Sequence, residues 1–528
     1  MTHFTNNLPR GWVSTPMSDI AYVNPRWIED EPTDSELVSF VPMAAVEAGS
    51  GRLDPTTSRT WMEVKKGYTR FQDGDVLFAK ITPCMENGKV ALAAGLLGGR
   101  GAGSTEFHVL RLIDGVEPRF ILYFLLQESL RREARTRMKG AAGQLRVPPE
   151  FLEELTLPLP PSQEQRRIVA EIDKQLTRLE AGVVALRRVR ANLKRYRAAV
   201  LKAAVEGRLV PTEAELARCE GLTYEPAGEL LKRILAERRA RWEAEQIAKM
   251  HASGKEPRDD KWKAKYQEPK DADADRLPGL PEGWKWVTIP QLGELNRGKS
   301  KHRPRDDVRL FGGPYPFIQT GDVKHSGGYI RNHSQTYNAT GLAQSRLWPA
   351  GTLCITIAAN IAESGILTYA ACFPDSVVGF LMEGHRRTVR FVQFFLETAK
   401  AQLSRFAPAT AQKNINLEAL YGLALPLPPL SEQHRIVVEV ERRFSVIDEL
   451  ETQLDANLKR AERLRQAILK RAFEGKFVPQ DPNDEPASVL LERIRAQRVS
   501  SEGHGGLTRS KNAVTTVRKP TGGSTRNR

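Results

Sequence analysis

The sequence predicts an α+β chain in which two compact α/β domains alternate with two long helices of coiled-coil character, the whole arranged as an internal repeat. Three observations lead there. First, Leu157-Pro158-Leu159-Pro160-Pro161-Ser162-Gln163-Glu164-Gln165 recurs as Leu425-Pro426-Leu427-Pro428-Pro429-Leu430-Ser431-Glu432-Gln433. The match continues without a gap to Glu206-Gly207-Arg208-Leu209-Val210-Pro211 and Glu474-Gly475-Lys476-Phe477-Val478-Pro479. About 22 of roughly 55 aligned positions are identical, and a duplication of that extent sets the architecture before any finer signal. Second, both copies carry apolar residues at alternating steps of three and four with Arg, Lys and Glu between, the pattern of a coiled-coil seam. Third, each copy follows a segment of strand-like runs bounded by Gly and Pro, and those two segments are related only distantly.

The first such segment, residues 1–156, is expected to be an α/β domain. Its short β-type runs include Phe40-Val41-Pro42 and Gly74-Asp75-Val76-Leu77-Phe78, with a helical pattern at 117–137. The run Gly98-Gly99-Arg100-Gly101-Ala102-Gly103-Ser104 lacks the Lys-Ser/Thr of a phosphate-binding loop and does not open a helix as a dinucleotide fingerprint does, so a loop between strands is expected there. A central constant region follows at 157–275. Its long helix covers 162–206, with Pro160-Pro161 at the start, Ser162 (Ser431 in the second copy) as candidate cap and Gly207 at the exit. The seam is Ile168, Ile172, Leu176, Leu179, Val183, Leu186, Leu193, Tyr196 and Val200. A charged helix at 228–250 and a charged, apolar-poor linker at 255–276 complete the region.

The second α/β domain is expected at 276–424. Leu280-Pro281-Glu282-Gly283-Trp284 answers Leu8-Pro9-Arg10-Gly11-Trp12, Phe317-Ile318 stands where Phe40-Val41 stands, and Gly351-Thr352-Leu353-Cys354-Ile355 parallels Gly74–Phe78. A helical pattern falls at 387–404. The second constant region, 425–498, contains a long helix at 430–474 with seam residues Ile436, Val440, Phe444, Ile447, Leu450, Leu454, Leu458, Ala461, Leu464, Ile468 and Ala472. The echo of Glu225-Pro226-Ala227 in Glu485-Pro486-Ala487 marks a second short charged helix, and 499–528 reads as a disordered basic tail.

At 528 residues the chain has room for three or four domains, and its formal net charge of +15 favours a polyanionic partner such as nucleic acid. The excess is uneven: residues 1–155 are near neutral, whereas 276–423 carry about seven surplus cations. Cys84, Cys219, Cys354 and Cys372 lie far apart, so neither a disulfide framework nor a zinc site is expected. The N-terminal residues have no basic region leading into an apolar core, and no run approaches a membrane span, which favours a cytoplasmic home. No metal-spaced cluster and no methyltransferase-type Asn-Pro-Pro-aromatic tetrapeptide is present, so no catalytic or metal-binding residue is assigned. Two groups are candidates for DNA contact. Arg297, Lys299, Lys301, Arg303 and Arg305 place cations at alternating positions of a Gly/Pro/Asp-punctuated loop, a density suited to tracking phosphates or simply to a solvated surface. Lys139, Gln144 and Arg146, matched by Gln412, Lys413 and Asn414, sit in small-residue loops just before each Leu-Pro-Leu-Pro-Pro; a base or phosphate contact and a structural turn both fit them.

These repeats resemble the specificity subunit of type I restriction–modification enzymes. The resemblance rests on the Leu-Pro-Leu-Pro-Pro-x-x-Glu-Gln-x-Arg-Ile-Val segments, the Glu-Gly-(Arg/Lys)-(Leu/Phe)-Val-Pro ends, Asp481-Pro482-Asn483-Asp484-Glu485-Pro486-Ala487-Ser488, and the stretches Gly103–Arg111 and Cys372–Phe380. It implies that the variable segments are target recognition domains joined by an antiparallel pair of long helices. It further implies that two methylation subunits dock on the constant regions, and that two restriction subunits join in the complete enzyme. S-adenosylmethionine, ATP and Mg would then be held by the partners, and this chain would have no catalytic residue of its own. An internal duplication lets one chain mimic a two-fold dimer, which suits DNA half-sites in opposite orientation; because the reading domains differ, the half-sites should differ too. Two other readings compete: a stand-alone DNA-binding regulator with coiled-coil-linked domains, and a specificity module of a one-subunit nuclease–methyltransferase.

Overall fold

The structure is a computed structural model. It describes residues 8–505 apart from 27–29, 55–56, 142, 255, 257–258, 303, 305, 359–361, 383–385 and 406–416. The chain divides into two compact units, and the division falls inside both long helices. One unit contains residues 1–186 and 456–528, the other 187–455.

Among the described residues the first unit holds ten strands: β1 (Val13–Pro16), β2 (Ala21–Val23), β3 (Leu37–Val41), β4 (Ser58–Thr60), β5 (Thr69–Gln72), β6 (Val76–Ala79), β7 (Val90–Leu92), β8 (Arg100–Gly103), β9 (Phe107–Leu112) and β10 (Thr156–Leu159). They form two four-stranded sheets, ordered β4-β3-β8-β5 and β2-β9-β6-β7, and the pair β1–β10. Val76, Leu77, Phe78 and Ala79 are all fully buried, as an inner strand covered on both faces requires. The glycine-rich run 98–104, expected as a loop, instead supplies β8, parallel to β3 and antiparallel to β5. A Cβ at Gly101 would stand 2.6 Å from the Phe71 ring, so the glycines admit the ring rather than open a turn. The pattern at 117–137 forms two helices, Pro118–Leu125 and Glu128–Arg137, because Gln127 takes an extended conformation between them. The first of these, buried almost all round, sets Phe120 and Phe124 against Phe473 at ring separations of 4.9 and 5.3 Å.

The second unit holds β11 (Lys285–Thr288), β12 (Glu294–Arg297), β13 (Phe311–Phe317), β14 (Tyr329–Ile330), β15 (Gln335–Tyr337), β16 (Leu353–Thr356), β17 (Ser364–Leu367), β18 (Val377–Leu381) and β19 (Ala424–Leu427). A five-stranded sheet runs β12-β18-β16-β17-β14, beside the pairs β13–β15 and β11–β19. The helix Arg386–Arg405 carries Phe391 and Phe394 into a core with Phe444 and Ile436 of the second long helix. Helix Ala227–Ala252 docks its first turns through Leu230, Leu231 and Ile234. Residues 259–271, within the expected linker, fold back instead. Trp262 and Tyr266 pack on Trp242, the Lys270 carbonyl accepts from the Thr288 hydroxyl at 3.0 Å, and the Asp271 carboxylate accepts from the Gln291 amide at 2.7 Å. Two aromatics supply the apolar area that the charged composition hides. A short helix at Glu213–Glu220, absent from the sequence reading, is capped by Thr212.

The long helices span Ser162–Val205 and Leu430–Phe473, 44 residues each. In the first unit Ile168, Ile172 and Leu176 share a core with Ile468, Leu469 and Ala472, and Arg465 pairs with Glu180 at 3.1 Å. In the second, Val200 packs with Ile436, Val440 and Ile447. There Arg190 pairs with Asp455 and Arg197 with Asp448, so seven residues forward on one helix meets seven back on the other. Leu454 is buried; Leu179, Val183, Leu186, Leu193, Leu458 and Ala461 are half-buried; Tyr196, Leu450 and Leu464 are exposed. Ser162 is the first helical residue, and its hydroxyl donates to the Gly115 carbonyl rather than capping the helix. Gly207 (φ 69°) and Gly475 (φ 66°) end the helices in the left-handed conformation. Arg208 N–H donates to Ala203 and Lys476 N–H to Arg471, the bonding of a Schellman exit. Helix Ala487–Gly505 runs into the stretch expected as a tail from 499, and 506–528 lies outside the described residues.

Candidate nucleic-acid interface

The basic loop leaves β12 with its alternation intact. Arg297, Lys299 and Lys301 are exposed while Gly298 and Ser300 between them are buried, so a strand-like period of two sorts cations outward and small residues inward. The backbone is pinned: Gly298 N–H donates to Val377 at 2.8 Å, the Ser345 hydroxyl to the Lys299 carbonyl at 2.7 Å, and His302 N–H to Gln344 at 2.9 Å. Hydrogen bonds from Arg309, by side chain and backbone, and from His302 hold the Asp307 carboxyl well below the usual range, which anchors the far end. A rigid backbone with water-facing cations meets the requirement for phosphate contact. Arg303 and Arg305 lie outside the described residues.

The loop before β10 is a narrow hairpin closed by Lys139 and Arg146, which exchange backbone hydrogen bonds at 2.9 Å each. Lys139 and Gln144 are exposed. Arg146 grips Glu106 with two hydrogen bonds of 2.9 and 2.8 Å, and that bond holds the Glu106 carboxyl low. The guanidinium thus braces the hairpin while staying partly exposed, and Lys139 and Gln144 face outward beside it. Gln412, Lys413 and Asn414, the counterparts, lie outside the described residues.

Two features escaped the sequence reading. One is a cavity of about 260 Å³ in the second unit, bordered by Ser300 and Asp306 of the basic loop, by Phe311 and Phe317, and by Gln319 and Gln335. The other explains why the repeated motifs recur. Trp12 Nε1–H donates to Glu164 at 3.0 Å, and Trp284 Nε1–H donates to Glu432 at 3.0 Å, both buried. Beside them Gln165 donates to the Pro160 carbonyl at 2.9 Å and Gln433 to that of Pro428 at 2.8 Å. The strand pairs β1–β10 and β11–β19 share one register, Val13↔Leu159 and Lys285↔Leu427. Ala487 N–H meets the Gly11 carbonyl at 2.9 Å and Ala227 N–H that of Gly283 at 2.8 Å. The Leu-Pro-x-Gly-Trp and Glu-Gln motifs are thus halves of one clasp, made twice. Burial raises the carboxyls of Glu164 and Glu432 above their ordinary value.

The two domains differ in how their aromatic residues pack. The first domain stacks Arg59 4.0 Å over Phe40 beside Tyr68, whereas the second packs Phe317 on Tyr337 at 4.1 Å under a polar rim. Among the described residues no group of three or more His, Cys, Asp or Glu is placed to hold a metal, and no helix is long and apolar enough to cross a membrane.

One framework presenting two unlike faces defines a modular recognition subunit. The profile of the type I restriction modification DNA specificity domain matches residues 9–183 and 281–460, and the chain belongs to that family of specificity subunits, whose role is DNA target recognition. It is 27% identical over 514 residues to the type I restriction enzyme EcoEI specificity subunit of Escherichia coli, covering 85% of this chain and 80% of the relative. It is 31% identical over 333 residues to the EcoAI specificity subunit of the same organism, covering 55% and 52%. The fold matches the crystal structure of the HsdS subunit from Thermoanaerobacter tengcongensis, with a TM-score of 0.50 at 18% identity over 90% of this chain and all of that one. A chain solved in work on the assembly and conformational transition of the type I R-M system gives a TM-score of 0.60 at 20% identity, over 89% and 100%.

Proposed function

We propose that this chain reads an asymmetric bipartite DNA target, one half with residues 1–156 and the other with 276–424, and scaffolds two methylation and two restriction subunits. The long helices form an antiparallel coiled coil that spaces the readers under a pseudo-two-fold repeat. The opposed ion pairs Arg190–Asp455 and Arg197–Asp448 support that direction. At 1.5 Å per residue, each 44-residue helix is about 66 Å long. Lys139, Gln144, Arg297, Lys299 and Lys301 are the described groups that reach DNA, and Arg146 shapes its hairpin. The chain itself is not catalytic: S-adenosylmethionine, ATP and Mg are held by the partners, which work with it in the cytoplasm and take the target adenine out of the duplex.

The single observation that carries this reading is the duplicated clasp, Trp12–Glu164 and Trp284–Glu432, under divergent faces. A stand-alone regulator has no need of the same tryptophan–glutamate clasp under two unlike readers. The test is labelled methyl transfer to DNA. The chain alone should transfer nothing, and with its methylation subunits it should methylate one bipartite sequence. Robust transfer by the chain alone, or sequence-independent transfer by the complex, overturns the proposal.

A further inference from the structure

The cavity beside the basic loop unites two groups that the sequence keeps apart. Ser300, between Lys299 and Lys301, lines it together with Gln319 and Gln335. Its floor is rigid. Phe317, 5% exposed, stacks on the fully buried Tyr337 with ring planes 25° apart, and Phe311 closes against both. Gln335 stands directly across from Phe317 in the β13–β15 ladder, so its side chain rises from that floor at a fixed register.

The orientation of Gln335 is also fixed. Gln319 Nε2–H donates to Gln335 Oε1 at 2.6 Å. The Asp322 carboxylate accepts from Gln319 N–H at 2.8 Å and from the Ser334 hydroxyl at 3.1 Å, and so ties both flanks of the pair together. Gln335 is exposed, and among the described residues nothing takes its amide N–H. Its Oε1 keeps a second lone pair. One donor and one acceptor held side by side match the N7 acceptor and N6 donor that adenine alone shows in the major groove. The neighbouring lysines supply the positive flank that phosphates require.

We propose that Gln335, oriented by Gln319, reads the major-groove edge of an adenine in the half-site recognised by residues 276–424, with Lys299 and Lys301 on the adjoining phosphates. This rests on the reading of the chain as a target-recognition subunit and assigns it a specificity-determining residue. In the first domain the corresponding strand pair, β3–β4, carries Arg59 over Phe40 instead, so the two readers differ in chemistry at this place.

The test is methylation-aware sequencing of a host expressing the complete complex with wild-type chain, Gln335→Ala, Gln335→Glu or Gln319→Ala. The Glu variant still accepts from Gln319, and both positions are at the surface, so folding is checked by purification of intact complex. Gln335→Ala should relax one adenine position in one half-site by roughly tenfold to a hundredfold, leaving the other half unchanged. Gln335→Glu should move preference at that position towards cytosine, whose amino group a carboxylate accepts. Gln319→Ala should relax the same position less. An unchanged target in the Gln335 variants, a uniform loss of methylation without altered preference, or relaxation in the half read by residues 1–156 overturns the assignment while leaving the recognition function standing. A wild-type complex that methylates no bipartite sequence overturns both.

Discussion

Glu164 and Glu432 make the same bond to a tryptophan, yet the structure predicts opposite responses to the same substitution. Glu432 uses both oxygens: Oε1 accepts from Trp284 Nε1–H at 3.0 Å and Oε2 from Glu213 N–H at 3.0 Å, at the start of helix Glu213–Glu220. Glu164 uses one: Oε2 accepts from Trp12, and Oε1 is buried without a hydrogen-bond partner among the described residues. In Glu432→Gln the amide keeps one acceptor and turns its NH₂ against the Glu213 N–H, leaving buried donors facing each other at a cost of about 1–3 kcal/mol. In Glu164→Gln the Trp12 bond survives and a buried charge disappears, so stability at neutral pH should hold or rise. The pH dependence follows from the raised folded value of Glu164. Its protonated form is favoured by burial, so its contribution is present below the ordinary value of 4.5 and is lost as pH rises through the folded value. Stability of the wild type relative to Glu164→Gln should therefore fall over that interval. Hydrogen exchange resolved by segment is the assay. Glu432→Gln should lose protection around residues 212–216 and β11, and Glu164→Gln should lose none around β1. Equal damage from both, or greater damage from Glu164→Gln, refutes the argument.

Four further outcomes are expected. Gly475→Ala and Gly207→Ala should each cost about 1–3 kcal/mol in thermal unfolding, since both sit at positive φ. The added Cβ would also stand 2.1 Å from Pro9 and 2.6 Å from Pro281. Gly182→Ala, mid-helix with open space around it, should instead stabilise by about 0.5–1 kcal/mol. Leu454→Asp should destabilise by several kcal/mol and impair recruitment of methylation subunits, and Leu186→Asp should do so less, because Leu454 is buried and Leu186 half-buried. The triple variant Arg297→Ala, Lys299→Ala, Lys301→Ala should weaken binding to all DNA sequences and lower the log–log salt slope by about 0.9 per lost phosphate contact; an unchanged slope would make the loop a bystander.

The parts of the fold legible in the sequence were those set by local rules. Heptad spacing and the Pro-Pro and Gly boundaries located both 44-residue helices to within a residue or two. Arg297, Lys299 and Lys301 read as alternating cations of a surface loop, and all three are exposed. What escaped depends on contacts between distant residues. Glycine in β8 reads as a loop until the Phe71 ring is placed against it. Residues 259–271 read as a linker because Trp262 and Tyr266 are too few to show a pattern, though both pack on Trp242. Arg146 fits a DNA contact or a structural turn by sequence, and its bonds to Glu106, forty residues earlier, appear only in the fold. The Gln319–Gln335 pair has no signature at all, since loop and strand meet only in the fold.

The central claim is that two independent readers hang on one duplicated frame, and a domain exchange tests it most directly. Residues 1–155 are replaced by the matching domain of a relative, and a second variant carries a few residues inserted within one long helix. Methylation maps are then taken from cells expressing each with its partner subunits. The exchange should change one half of the bipartite target and leave the other intact. The insertion should alter only the spacer, by roughly one base pair per 3.4 Å of added reach. An exchange that scrambles both half-sites, or a lengthened helix that leaves the spacer fixed, contradicts the account.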